Sequence, residues 1–309
     1  MKLLTLTLNP AFDVHCHIPT FEPYHENLAW ITDREAGGKG VNISRALTQN
    51  HVENLALVVL GEENGESFRR ALMADGMQVC EITLPGRIRE NITIHTDNAP
   101  ETRISFAGFE TDASLLKLVE EKLERLLEDG SIVTFTGRVP DGIPMKDVKA
   151  FLRCLMQKGA RIVIDSRSFT KEDLLEMRPW LIKPNQEEIS AYLGREIDTF
   201  EKVLDAAEEL HGQGIENVMI SLGEQGALLV CTDGRFIATP PIIDAVSTIG
   251  AGDSSIGGFL AAAAAGESAE GMLKLAVSYG SAACMSAGTR PPLPADVDVV
   301  FQHVTVRAV

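Results

Sequence analysis

The sequence predicts an α/β fold: a mostly parallel central sheet covered by helices on both faces, with a small separate β-sheet beside it. Three observations point there. Short apolar runs such as LLTLTL at 3–8, LALVVL at 55–60 and IVTFT at 132–136 alternate with amphipathic stretches, and strands buried on both faces read as continuous apolar runs. Two regions, about 11–33 and 91–109, hold strand-like segments with no helical stretch between them. Finally, 309 residues, 45% of them hydrophobic, suffice for one large core, so a single domain over 1–309 is expected.

The first strand, 3–8, ends before Pro10. FDVHCHIPTF and LAWITD then supply two strand candidates, and a helical pattern at 41–49 follows a glycine-rich turn. A strand at 55–60 and a helix at 67–75 come next. NITIHT and TRISFAGF, around the polar turn DNAPE, form a second strand pair. Both pairs interrupt the main fold: paired with each other they form one small sheet with no linker to separate it, and otherwise they are two surface hairpins. Apolar residues three and four apart mark helices at 113–127, 145–158, 187–193 and 200–211. Strands are expected at 161–165, 181–183, 218–222 and 227–231. A small-residue helical stretch, SSIGGFLAAAAA, follows Asp253, and the segment 291–309 carries no clear signal.

A formal net charge of −16 argues against nucleic acid or an anionic membrane as partner. The N-terminal stretch is too short and threonine-rich for a signal h-region, and no apolar run reaches membrane-spanning length. The five cysteines are scattered with no C-x-x-C pair, the pattern of reduced thiols in the cytoplasm. His15, Cys16 and His17 sit together, but no carboxylate cluster joins them, so a metal site there is not the favoured reading.

Four stretches carry chemistry. In VSTIGAGDSS, at 246–255, Gly250 and Gly252 let a ligand approach the main chain, and a helix opens near Asp253. Unpaired N–H groups and the positive end of the helix dipole make an anion site. The carboxylate of Asp253 stands beside it, either as a proton acceptor or as a plain helix cap. The same helix end is expected to lower the aspartate's pKa. EAGGKGVNISR, at 35–45, surrounds Lys39 with glycines and adds Asn42, but lacks the Ser or Thr of a P-loop. LIKPNQEE, at 181–188, places Asn185 and Glu188 three apart on one helical turn, suited to Mg²⁺ or to an ordinary capped helix start. ISLGEQG, at 220–226, is a glycine turn between apolar strands, open to a nucleotide or simply a hairpin; no dinucleotide fingerprint occurs.

In chain order, NPAFD at 9–13, GGKGVN at 37–42, TGRVP at 136–140, KPNQEE at 183–188, SLGEQG at 221–226 and VSTIGAGDS at 246–254 resemble the ribokinase-like (PfkB) carbohydrate kinase family. The resemblance covers nearly the whole chain. TLTLNPAFD and RENITI at 89–94 are similar to its phosphosugar branch, the group of 1-phosphofructokinases, tagatose-6-phosphate kinases and the minor 6-phosphofructokinases. It implies a three-layer α/β/α ribokinase-like fold with the small sheet as a lid over the sugar, often also a homodimer clasp.

The resemblance further implies ATP- and Mg²⁺-dependent phosphorylation of a sugar phosphate, fructose 1-phosphate before tagatose 6-phosphate or fructose 6-phosphate. Asp253 would be the base, and Gly250, Ala251 and Gly252 the anion hole. Asn185 and Glu188 would organise Mg²⁺ and the ATP phosphates, with Lys183 nearby. Ser221, Gly223, Gly226 and Thr248 would line the nucleotide site. Asp13, Gly38, Lys39 and Asn42 would hold sugar hydroxyls, and Arg89 and Arg103 the phosphate already on the sugar. Arg138 and Val139 depart from the family's usual Ser-Leu, and Arg138 is a candidate for an added phosphate contact. Asn27 stands where some 6-phosphofructokinases carry lysine, which favours a 1-phosphate. Ser255 and Ile256 replace the usual Met and Val, with only a packing effect expected. Ser286 stands where an adenine-side Asn often sits. A catalytically silent sugar-phosphate sensor is the alternative of another class; the intact Asp253 argues against it.

Overall fold

The computed structural model describes residues 1–286 and 288–309. The chain begins β1 (Leu3–Thr7), β2 (Ala11–His17), β3 (Trp30–Gly37), α1 (Lys39–Gln49), β4 (Leu55–Gly61), α2 (Gly65–Ala74), β5 (Val79–Leu84), β6 (Arg89–His95) and β7 (Thr102–Ile104). It continues through α3 (Ser114–Glu124), β8 (Ile132–Thr136), α4 (Met145–Gln157), β9 (Arg161–Asp165), α5 (Lys171–Met177), β10 (Leu181–Ile182), α6 (Gln186–Leu193) and α7 (Phe200–Gly212). It closes with β11 (Asn217–Ser221), β12 (Ala227–Cys231), β13 (Gly234–Thr239), α8 (Ala251–Ala265), α9 (Ala269–Ala283), α10 (Pro294–His303) and β14 (Thr305–Ala308).

Ten strands form the main sheet in the order β14-β13-β12-β11-β10-β9-β8-β1-β4-β5. From β5 to β11 every pairing is parallel; β12, β13 and β14 add antiparallel strands at one edge. Successive side chains of a strand point to opposite faces, and both faces are buried. Leu4 and Leu6 pack in a core shared with α2 through α7, while Leu3 packs in a second core with α1, α8, α9 and α10. The three layers follow from that. The strand order reverses at β1, whose neighbours are β4 on one side and β8 on the other. Such a switch point opens a crevice at the carboxyl ends of the strands.

β2, β3, β6 and β7 form the second sheet, in the order β3-β2-β6-β7. β2 pairs β3 antiparallel and β6 parallel, so the two strand-rich regions do join each other. Their bounds differ from expectation: β3 runs on to Gly37, β6 starts at Arg89, and 105–109 is no strand. The unassigned 291–309 holds α10 and the edge strand β14; α10 is rich in valine, a weak helix former, and is held by Val297 and Val300 in the core. The alanine run of α8 is explained by its partner helix. A Cβ on Gly258 would lie 2.5 Å from the Leu275 carbonyl, so small residues let α8 and α9 pack closely. Ser255 donates to the Ala276 carbonyl and Ile256 is fully buried, both packing roles as expected. No described helix is long and apolar enough to cross a membrane.

Candidate active site

A cavity of about 920 Å³ lies over the carboxyl ends of β1, β8, β9 and β10, beneath the small sheet, with the first turns of α1 and α8 in its wall. Its floor is a row of side chains at neighbouring strand ends. Thr136 sits opposite Asp165 in register, and Lys183 directly follows the Ile182–Ile164 pair. Asp165 is buried and accepts a 2.8 Å ion-pair hydrogen bond from Lys39 Nζ. Burial alone would raise its pKa, but Lys183 and Lys39 hold it below the usual carboxylate range. Burial likewise opposes the Lys39 charge, yet Asp165 and Asp253 keep the ammonium above its ordinary value.

Asp253 lies in the first turn of α8, which opens on Gly250 in the left-handed region at φ 79°. Glycine enters that region without the steric cost of a Cβ. Asn42 Nδ2 donates to Asp253 Oδ2 at 2.8 Å. The carboxyl is only 8% exposed, and its pKa is pushed up to about 6, first by burial and further by Asp165, against Lys39, the Asn42 bond and Lys183. The expected lowering by the helix end is therefore corrected: desolvation of a buried carboxylate outweighs the dipole and two nearby cations. Ala251 N–H points at the Thr248 carbonyl, 3.4 Å away. Lys183 Nζ lies so close to Gly252 that a Cβ there would come within 3.1 Å of it.

Asn185 and Glu188 form a capping box at the start of α6. Asn185 Oδ1 accepts from the Glu188 N–H at 2.8 Å, and Glu188 Oε2 accepts from the Asn185 N–H at 3.1 Å. Arg167 Nε donates to Glu188 Oε1 at 2.9 Å, from a largely exposed side chain. One carboxylate and one amide oxygen do not make a protein cage, and no cluster of three His, Cys, Asp or Glu ligands occurs among the described residues. The pair does fit Mg²⁺, which keeps several waters and takes its remaining ligands from phosphate oxygens.

At the other end of the cavity stand three arginines. Arg89 donates to the carbonyls of Phe106 (2.8 Å), Asn9 (3.3 Å) and Pro10 (3.4 Å), and burial lowers its pKa. Arg103 lies exposed on β7 at the rim, and Arg138 pairs with Asp141 at 2.8 Å. Asp13 reaches in from β2, steadied by Asn91 Nδ2 at 3.1 Å.

Of the residues singled out from sequence, Asp13, Gly38, Lys39, Asn42, Arg89, Arg103 and Arg138 line this cavity together with Lys183, Asn185, Glu188, Ser221, Thr248, Gly250, Gly252 and Asp253. Ala251, Gly223 and Gly226 do not. Gly226, at φ 95°, packs against the Ala238 carbonyl and shapes the turn between β11 and β12. Asn27 lies in the loop after β2, bonded to Glu22 and His25, and Ser286 also falls outside the lining. His15 Nδ1 faces His95 Nε2 at 3.0 Å and His17 faces Asp97, and no group of three metal-ligating side chains forms there among the described residues. Sequence reasoning missed Asp165, Arg167, Asn9, Asn91 and Thr289, all in the lining. For Asp165 a signal existed: a lone carboxylate ends the apolar strand RIVID.

Residues 31–296 match the family described as pfkB family carbohydrate kinase. The 1-phosphofructokinase of Escherichia coli (strain K12) is 33% identical over 283 residues, 91% of this chain and 90% of that protein. The ATP-dependent 6-phosphofructokinase isozyme 2 of the same strain is 28% identical over 99% of both chains. A crystal structure of phosphofructokinase-2 from Escherichia coli in complex with substrates and products superposes with a TM-score of 0.90, at 28% identity, over 98% of this chain and 99% of that one.

Proposed function

The chain belongs to the pfkB family of carbohydrate kinases, and on that premise we propose that it moves the terminal phosphoryl group of ATP to a hydroxyl of a sugar phosphate, with fructose 1-phosphate as the preferred acceptor and fructose 1,6-bisphosphate as the product. The observation that carries the reading is the buried carboxylate of Asp253, bonded to Asn42 and set at the opening of α8 in a cavity with cations at both ends. In the transfer, a bond forms between the sugar oxygen and phosphorus, the bond from phosphorus to the ADP oxygen breaks, and the hydroxyl proton passes to Asp253. A pKa of about 6 leaves Asp253 mostly ionised at neutral pH yet far more basic than an exposed carboxylate.

The remaining residues position and neutralise, which is most of what phosphoryl transfer needs from a protein. The backbone at Gly250 and Gly252 faces the transferring group, whereas the Ala251 N–H is turned to the Thr248 carbonyl and is not part of that anion site. Lys183, Thr248 and Ser221 lie on the nucleotide side, with Gly223 and Gly226 shaping the turn behind. Asn185 and Glu188 would hold Mg²⁺ through its waters; when bound, the ion neutralises charge on the ATP phosphates. Asp13, Gly38, Lys39 and Asn42 meet the sugar, and Arg89, Arg103 and Arg138 its phosphate. The small sheet excludes water as a lid. By register its exposed Ile31 and Ile104 share the face of Val14 and Cys16, and a second copy of the chain covers that face in a homodimer.

The test is ADP release with Mg-ATP against fructose 1-phosphate, fructose 6-phosphate and tagatose 6-phosphate, compared by kcat/KM. A preference of ~100-fold, roughly 2.7 kcal/mol of transition-state discrimination, names the acceptor. No turnover with any of the three overturns the phosphosugar reading.

A further inference from the structure

Asn42 does not meet Asp253 unaided. Three residues further along α1, on the same helical face, Arg45 Nη1 donates to Asn42 Oδ1 at 3.4 Å. Arg45 is only 7% exposed. Its Nε pairs with Asp75, just past the end of α2, at 2.8 Å, and its Nη2 donates to the carbonyl of Ala36 near the end of β3. One guanidinium thus joins α2, the root of a lid strand and the amide that touches Asp253.

The chemistry of the three groups gives this chain a direction. A guanidinium only donates and an ionised carboxylate only accepts. An amide held between them is oriented: oxygen to Arg45, NH₂ to Asp253. Turned the other way, it would set oxygen against carboxylate and NH₂ against guanidinium. We propose that Arg45 is a positioning residue for Asp253, fixing the Asn42 amide so that it favours the ionised base and tying that arrangement to the root of the lid. The inference rests on the reading of Asp253 as the base. Arg45 is not a catalytic residue, since Asn42 stands between it and the cavity.

The charged groups around the pair are few. Asp253 faces Lys39 from α1, Asp165 from β9 and Lys183 after β10, and Arg45 faces Asp75. None but Arg45 touches Asn42 Oδ1 among the described contacts. Loss of Arg45 therefore acts on Asp253 through the amide.

The test is the pH dependence of kcat between pH 5 and 9, with Mg-ATP and whichever of the three sugar phosphates the full chain turns over fastest, for Arg45→Met, Arg45→Lys, Asn42→Ala and the Arg45→Met/Asn42→Ala double variant. Each is expected to move the acid limb up by about one pH unit, the size of one hydrogen bond to a charged group. From a starting value near 6, kcat then falls about fivefold at pH 6 and hardly at pH 8. The double variant moves the limb no further than Asn42→Ala alone. Arg45→Lys keeps a cation for Asp75, so it keeps the thermal midpoint while the limb still moves; it decides the matter if Arg45→Met fails to fold. A uniform loss of kcat at every pH, with the acid limb in place, reduces Arg45 to a structural residue and overturns the proposal. Asp253→Asn separates the two readings: if it keeps turnover within about threefold, both fall, and if it is silent while the Arg45 variants leave the limb unmoved, only Arg45 falls.

Discussion

Lys39 and Asp165 meet at 2.8 Å and join the first turn of α1 to the end of β9, with Asp165 buried and the Lys39 side chain 36% exposed. Breaking a buried pair from one side leaves an uncompensated charge. Lys39→Met is expected to cost ~2–3 kcal/mol, toward the lower end for such pairs because the lysine is partly solvated. Chemical denaturation of the two proteins measures it. Lys39→Arg should recover most of the loss; equal midpoints for Lys39→Met and the parent would show that Lys183 alone suffices for Asp165.

Asp253→Asn should lower kcat by ~10²–10⁴, the usual size of general base catalysis, while ATP still binds. Steady-state rates beside ATP titration of the same variant check both halves.

The raised pKa of Asp253 acts with opposite signs on activity and on stability. As the proposed base Asp253 must be ionised, so kcat is expected to fall as pH drops through about 6. For folding, a carboxyl raised above its unfolded value contributes stability that is full below the ordinary aspartate range and lost as pH rises through about 6. Asp253→Asn removes that dependence. Its thermal midpoint should exceed the parent's at pH 8, and the gap should close by pH 5. An unchanged gap across that range would place the destabilising charge elsewhere.

Arg103 and Arg89 should separate by kinetics. Arg103 is exposed at the cavity rim, so Arg103→Gln is expected to raise KM for the phosphorylated sugar ~10–100-fold with kcat little changed. Arg89 holds three backbone carbonyls as well. Arg89→Gln should therefore also lower the thermal midpoint. Hydrogen exchange of the lid strands would show whether that loss is local.

Gly258→Ala tests the contact between α8 and α9. Its new Cβ would meet the Leu275 carbonyl at 2.5 Å and Tyr279 Cγ at 2.9 Å. Overpacking of this kind costs ~1–3 kcal/mol, despite alanine's better helix propensity. A stabilised variant would show that the two helices part without penalty.

Much of this was legible in the residues, for reasons that differ by element. The buried strands announced themselves because both faces need apolar side chains, and the lid because its segments lack a helix between them. The glycine turn before Asp253 was readable because few residues tolerate its backbone. α10 escaped because Asp-Val-Asp-Val-Val alternates like a strand, and packing of Val297 and Val300 overrides it. The electrostatic state of Asp253 was misjudged because burial is a property of the assembled site, set by α1, β9 and β10 together. Arg167 and Asn91 were missed for the same reason: single polar residues in ordinary contexts acquire a role only when distant segments converge on them.

The lid enters and leaves the main fold at four places: after β1, at Gly38 before α1, between β5 and β6, and between β7 and α3. Arg89 grips the first and last of these, and Arg45 the second. Such a roof is not a cassette. Transplanting it between relatives would need four cuts, each beside a residue of the cavity wall. Acceptor preference in this architecture is therefore altered by point changes in place, with every change to the roof felt at once by the floor.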